Sequence, residues 1–233
     1  MGNQRLNQLV YHNIQAKRCD FMIKENDLEF LIESNNLPAI VESMNADFPE
    51  PPQVIMLDKI IRRTLYKPFL PDSFDESTAE KVRWIRVMDG DIESDLQPRC
   101  TITYKDKMKN MSHEEKSELK VDNYDDALHL FDLLHYEKVS YQENRRSKFA
   151  CSLDQVKYIV KFDIWPKIED VTFVSVSFAS SADENSMSNF IELLGLKEYN
   201  ICKNQRADVD EEYKKRFGKP AMSIPILTFD FDF

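Results

Sequence analysis

The chain has 233 residues, 42% hydrophobic and 31% charged, with fifteen Phe, nine Tyr and two Trp, enough bulk for a sizeable core. Its net charge of −10 speaks against broad electrostatic binding to duplex nucleic acid. With only four Gly, and neither GxGxxG nor GxxxxGK(S/T), it lacks the Gly-rich nucleotide loops.

Residues 7–19 alternate loosely and predict a first strand; in it Asn13, Gln15 and Lys17 share one face, opposite Ile14 and Ala16. Residues 25–45 read as a helical region, with Asn26 as N-cap and Glu29 at the third position. Leu28, Leu31, Ile32, Ile40, Val41 and Met44 form its apolar stripe, interrupted near Pro38. A Pro-punctuated loop then leads to the β-branched run 53–66, a polar insert at 67–80 and a strand at 81–88.

Residues 99–107 alternate most cleanly, with Arg99, Thr101, Thr103 and Lys105 on one face and Cys100, Ile102 and Tyr104 on the other. A strand at 117–121 follows, then an amphipathic helix capped by Asn123, with Ala127, Leu128, Phe131 and Leu134 inward. Three further strands are predicted at 138–151, 155–165 and 171–180. Ser181 and Glu184 then make a capping box for a helix at 183–196, and a last helix ends at Gly218. The tail, 223–233, adds a strand or wraps an edge.

About eight strands with helices at three or four places do not alternate one for one, which argues against a doubly wound parallel sheet. Polar-inward alternation on several strands points instead to an α+β fold. The expectation is a single-domain eight-stranded antiparallel β-barrel with a hydrophilic interior and flanking helices. No repeat or composition shift divides the chain, so residues 1–218 are read as the barrel and 219–233 as a C-terminal tail.

The second half then shows a telling order. Asp163 and Trp165-Pro166 precede a strand bearing Ser175-x-Ser177, followed by Leu194-Gly195-Leu196 and the stretch from Tyr213 to Gly218. This succession resembles the CYTH family, the triphosphate tunnel enzymes, which includes thiamine and inorganic triphosphatases and class IV adenylyl cyclases. On the family's pattern the opening ExExK falls on Asn13, Gln15 and Lys17, and the arginine strand on Trp84-Ile85-Arg86. The TYK strand falls on Thr103-Tyr104-Lys105, the following acidic strand on Glu118, and the K-x-R-x-x-Y strand on Asn144, Arg146 and Phe149. The resemblance covers most of residues 8–218. It implies a hollow barrel that binds a triphosphate and a divalent metal.

Basic positions are mostly kept, so the resemblance implies phosphate binding by Lys17, Arg86, Lys105 and Arg146. Acidic positions are degenerate: Asn13, Gln15, Ser175 and Ser177 stand where glutamates are expected, and Asn144 replaces a lysine. Mg or Mn needs hard oxygen ligands, usually with carboxylates, and only Glu118 and Asp163 remain to hold one. The expectation is a catalytically degenerate CYTH-like protein, a pseudoenzyme, that binds a small polyphosphate or nucleotide without a required cofactor. The alternatives are an active triphosphatase or class IV-type cyclase using Mg or Mn, and a structural or interaction protein whose tunnel is filled by Trp84 and Met88.

Loops 67–80 and 106–117 and the C-terminal tail are the natural surfaces for a protein partner. His12, His113, His129 and His135 lack metal spacing, and no serine sits in a GxSxG elbow. Cys19, Cys100, Cys151 and Cys202 form no CxxC and are read as reduced thiols. With no signal-peptide core and no run long enough to span a bilayer, the expected setting is cytoplasmic, without a membrane partner.

Overall fold

The computed structural model describes residues 26–67, 81–93, 96–108, 114–178, 183–197, 199 and 209–230. The expected first strand with Asn13, Gln15 and Lys17 lies outside them, as do Ser181, His12, His113, Cys19 and Cys202. Nine strands and four α-helices are formed by the described residues. The strands are β1 (Asn26–Glu33), β2 (Gln53–Tyr66), β3 (Lys81–Ile92), β4 (Pro98–Met108) and β5 (Glu114–Val121). Then come β6 (Lys138–Leu153), β7 (Val156–Ile164), β8 (Val171–Phe178) and β9 (Ile226–Leu227). The helices are α1 (Leu37–Ala46), α2 (Tyr124–Leu133), α3 (Glu184–Leu193) and α4 (Val209–Phe217).

All strands join one sheet in the order β1-β8-β7-β6-β2-β3-β4-β5, antiparallel throughout except that β9 adds in parallel to β6. The α+β class expected from the sequence is therefore present. Among the described residues the sheet is not closed: β1 and β5 are its two ends.

Several local expectations are corrected. Residues 26–33 form a strand rather than the start of a helix, so Asn26 is not a cap. Leu28, Phe30 and Ile32 alternate there, and pairing with β8 places Phe30 opposite Val174 and Leu28 opposite Val176. That non-local ladder outweighs the local helical spacing of Leu28, Leu31 and Ile32. The cap of α3 is Asp183, which accepts from the Ser186 backbone N–H at 2.7 Å, rather than Ser181. Asn123 caps α2 as expected, accepting from the backbone N–H groups of Asp125 and Asp126. Ala127 and Phe131 turn inward as expected, but Leu134 is 57% exposed because the helix has already ended. The span 106–117 is mostly strand, since β4 runs to Met108 and β5 starts at Glu114.

One face of the sheet carries the apolar core. Phe30, Phe149, Tyr158, Val160, Phe162, Val174 and Val176 meet α1 and α3 there through Ile40, Met44, Phe190 and Leu194. Tyr158 stacks on Phe190 with ring centroids 3.7 Å apart. On β2–β4 the same role falls to α2, which covers Tyr66, Ile85 and Val87 with Tyr124, Ala127 and Phe131. The opposite face is where the polar side chains collect. The C-terminal segment is integral: Ala221, Ile224 and Leu227 are buried with Trp165, Ile168, Phe173 and Tyr213. Ser140 and Gln142 of β6 donate to the carbonyls of Ile224 and Ala221, which fixes this segment across one end of the polar face.

Candidate functional site

Strand alternation sends Asn144, Arg146 and Lys148 of β6 to the face opposite the α1 and α3 helices, since Phe149 and Cys151 point into the core. Register carries the same face outward in both directions. On β7, Asp163 lies opposite Arg146 and Lys161 opposite Lys148; on β8, Ser175 lies opposite Lys161 and Ser177 opposite Ile159. Glu29 of β1 stands opposite Ser175. On the other side, Arg63 of β2 pairs with Gln142 and Met88, Arg86 of β3 pairs with Thr103, and Thr103 pairs with Glu118 of β5. Thr101 and Thr103 are fully buried, so the hydrophilic side of β4 is the inner one.

The centre of the face is a network around Arg146. Its Nε and one terminal nitrogen donate to the two oxygens of Asp163, each at 2.7 Å, and the other terminal nitrogen donates to Asp91 at 3.0 Å. Asn144 adds a 2.7 Å hydrogen bond to Asp163. Lys148 donates to Asp91 at 3.2 Å and to the carbonyl of Ile92 at 2.6 Å. Burial pushes the Asp163 carboxyl up, but the charge and hydrogen bonds of Arg146 outweigh it and hold the group below its ordinary value. Asp91 behaves alike, its burial outweighed by Arg146 and Lys148. Arg146 is pushed above the ordinary arginine value, because Asp163 and Asp91 outweigh its burial.

Asp91 reaches this face only through a bulge. Alternation from Met88 would turn it toward α2, but the β3–β4 register shifts between Met88 and Asp91. Gly90 sits in that shift at φ +91°, and a Cβ there would lie 2.4 Å from the Ile60 carbonyl oxygen. Only glycine fits.

The expected site residues distribute as follows. Arg146, Asn144, Asp163, Ser175, Ser177, Arg86 and Glu118 all map to the polar face. Of Lys105 only the backbone is described, opposite Trp84. Ser177 accepts a hydrogen bond from Lys161 at 3.2 Å. Arg86 lies over the ring of its neighbour Trp84, 5.3 Å from the centroid. Glu118 is engaged by Arg99 and accepts from Thr103 at 3.3 Å. Arg63, Asp91, Lys148 and Lys161 are not among the residues expected from the sequence. Lys161 and Asp163 stand two apart on one strand, a signal alternation could have supplied. Asp91 gave none, because a bulge inverts its side.

Among the described residues, the two carboxylates expected to hold a divalent cation are already engaged. Both oxygens of Asp163 are taken by Arg146 and Asn144, and Glu118 is held by Arg99 and Thr103. Among the described residues no group of three or more His, Cys, Asp or Glu is placed to hold a metal ion. His129 and His135 are exposed.

No family model matches the sequence, and no curated protein matches it. Solved structures of similar shape do exist. A Hippeastrum protein with a dominant triphosphatase activity is 11% identical with a TM-score of 0.48, the match covering 84% of this chain and 96% of that one. A candidate adenylate cyclase from Vibrio parahaemolyticus is 13% identical with a TM-score of 0.45, covering 73% and 83%. A chain of the Schizosaccharomyces pombe Mediator head module is 14% identical with a TM-score of 0.41, covering 74% and 93%. At such identities and scores the likeness carries neither a family nor an activity. No helix among the described residues is long and apolar enough to cross a membrane.

Proposed function

We propose that the polar face is an anion site for a small polyphosphate or nucleotide, in a CYTH-like protein that binds without a metal and is catalytically degenerate. The observation that supports this best is the convergence of Arg63, Arg86, Arg146, Lys148 and Lys161 on one face of one sheet, three of them from adjacent β6 and β7. Cations gathered on one poorly solvated face repel one another and favour a polyanion. Asp91 and Asp163 offset part of this charge through Arg146 and Lys148, and Ser175 and Ser177 add no carboxylate on β8, where the resemblance leads one to expect glutamates. The reading includes Lys17 and Lys105 as further phosphate contacts, and a sheet that curls into a tunnel around the ligand. Without a metal to carry charge at a transferring phosphoryl group, most of the rate of a triphosphatase or cyclase is lost.

Calorimetric titration with tripolyphosphate, thiamine triphosphate and ATP, each with and without EDTA, tests the proposal. Binding that is unchanged by EDTA, with no turnover in Mg or Mn, is expected. Failure to bind any of the three sinks it, and magnesium-dependent turnover returns the chain to the active class. A second reading has one observation behind it: Met56, Ile61 and Met88 form a buried apolar cluster on this same face. A face partly covered by such side chains suits a protein that kept the sheet and binds a protein partner instead. The same titration separates the two.

A further inference from the structure

Arg63 is the odd cation of the face. It is 6% exposed, and its Nε is buried without a hydrogen-bond partner. Among the described residues its one close polar-type contact is the ring of Trp165, whose centroid lies 4.6 Å from the guanidinium carbon. Nearby carboxylates are already committed: Asp163 to Arg146 and Asn144, Asp91 to Arg146 and Lys148. Burial and repulsion from Arg146 pull the Arg63 pKa down to about 9, which still leaves it charged at neutral pH. Asp163 and Asp91 attract Arg63 across the face, yet neither forms a hydrogen bond or ion pair with it, so its buried Nε–H is left unsatisfied, which is unfavourable.

The stacking geometry matters here. A guanidinium lying on an aromatic ring uses its flat face and leaves the N–H donors on its edge free for a coplanar oxyanion. Trp165 itself is fixed by Ile168, Phe173 and Tyr213, and by the C-terminal residues Ala221, Ile224 and Leu227. The shelf under Arg63 is therefore rigid. Arg146, by contrast, has all three of its nitrogens engaged by carboxylates.

We propose that Arg63, held flat on Trp165, is the residue that receives a phosphoryl group of the ligand, while Arg146 and Lys148 are positioning residues that hold Asp91 and Asp163. This rests on the polyphosphate reading above. The test compares wild type, Arg63→Met and Arg63→Lys by titration with tripolyphosphate and with ATP, alongside unliganded melting temperatures. Arg63→Met is expected to melt close to or above the wild-type temperature, since it removes a buried charge held by no direct ion pair, and to lose at least tenfold in affinity for both ligands. Arg63→Lys, which keeps the charge but not the planar fork, is expected to bind several-fold more weakly and to fold. If wild type binds neither ligand, the wider reading fails and this one with it. If wild type binds and both variants bind equally well, the Arg63 assignment alone is overturned. A loss confined to ATP also overturns it, because the contact would then not be to the phosphoryl chain.

Discussion

Arg146 joins three strands with one guanidinium, bridging Asp163 of β7 and Asp91 of β3 from its place on β6. Its side chain is 11% exposed, so removing it strands two buried carboxylates. Arg146→Ala is expected to lower stability by about 3–5 kcal/mol, the usual penalty for breaking a buried pair from one side, as read by urea denaturation. A surface arginine would cost less than about 1 kcal/mol, and a value in that range would show the network to be loose. Gly90 is the second critical residue. Gly90→Ala forces a side chain into a positive-φ position and against the Ile60 carbonyl, so it is expected to destabilise by more than about 1 kcal/mol. The same denaturation series checks this, and an Ala variant as stable as wild type would mean that the bulge is not fixed. At this scale the sequence was partly legible. Alternation puts Arg146 and Asn144 on one face, whereas Asp91 depends on a bulge and Arg63 on Trp165, about a hundred positions further along the chain.

Elements were easier to read where one period dominated. Strand β4 alternates through its described side chains, and its polar side, with Thr101 and Thr103, is the buried one. Residues 26–33 fit two templates at once, the helical spacing of Leu28, Leu31 and Ile32 and the alternation of Leu28, Phe30 and Ile32. Only the ladder with β8 decides between them, and a ladder is not a local property. The cap of α2 was local and therefore legible. Asn123→Ala removes the acceptor for two orphan N–H groups at the start of the helix covering Tyr66 and Val87. About 1 kcal/mol of stability should be lost, seen as a lower melting temperature. No change at all would mean that the first turn is held by Tyr124 packing and its hydrogen bond to Thr64.

For the whole molecule, the expected separation of residues 219–233 as a tail meets a packed C-terminal segment. Leu227 is fully buried, and Ile224 nearly so, against Trp165 and Phe173. Truncation after Gly218 removes these along with the carbonyls that satisfy Ser140 and Gln142. Losing two buried aliphatic side chains alone amounts to several kcal/mol, on the order of 2–5 for each by analogy with truncation to Ala. The truncated chain is expected to be poorly folded, with Trp165 fluorescence shifted to the red. A truncated protein with native-like melting and emission would restore the tail as a separable piece.

Acid stability follows from the same network read as a whole. Asp91 and Asp163 have folded-state pKa values held below the ordinary aspartate value, by Arg146 and Lys148 in the first case and Arg146 in the second, despite burial. Between the unfolded value of about 4 and the lower folded values, the unfolded chain binds more protons than the native one. Stability from this source is thus fully present above about pH 5, falls as the pH drops through 4, and is gone once both carboxyls are protonated in the fold. Urea denaturation from pH 7 down to pH 3 should show that decline, and Asp91→Asn should start from lower stability yet fall less steeply below pH 4. The reason is that its amide has no proton to gain, while Asp163 retains its fork with Arg146. An Asp91→Asn profile parallel to wild type would show that Asp91 carries no linked proton, and that Arg146 is held by Asp163 alone.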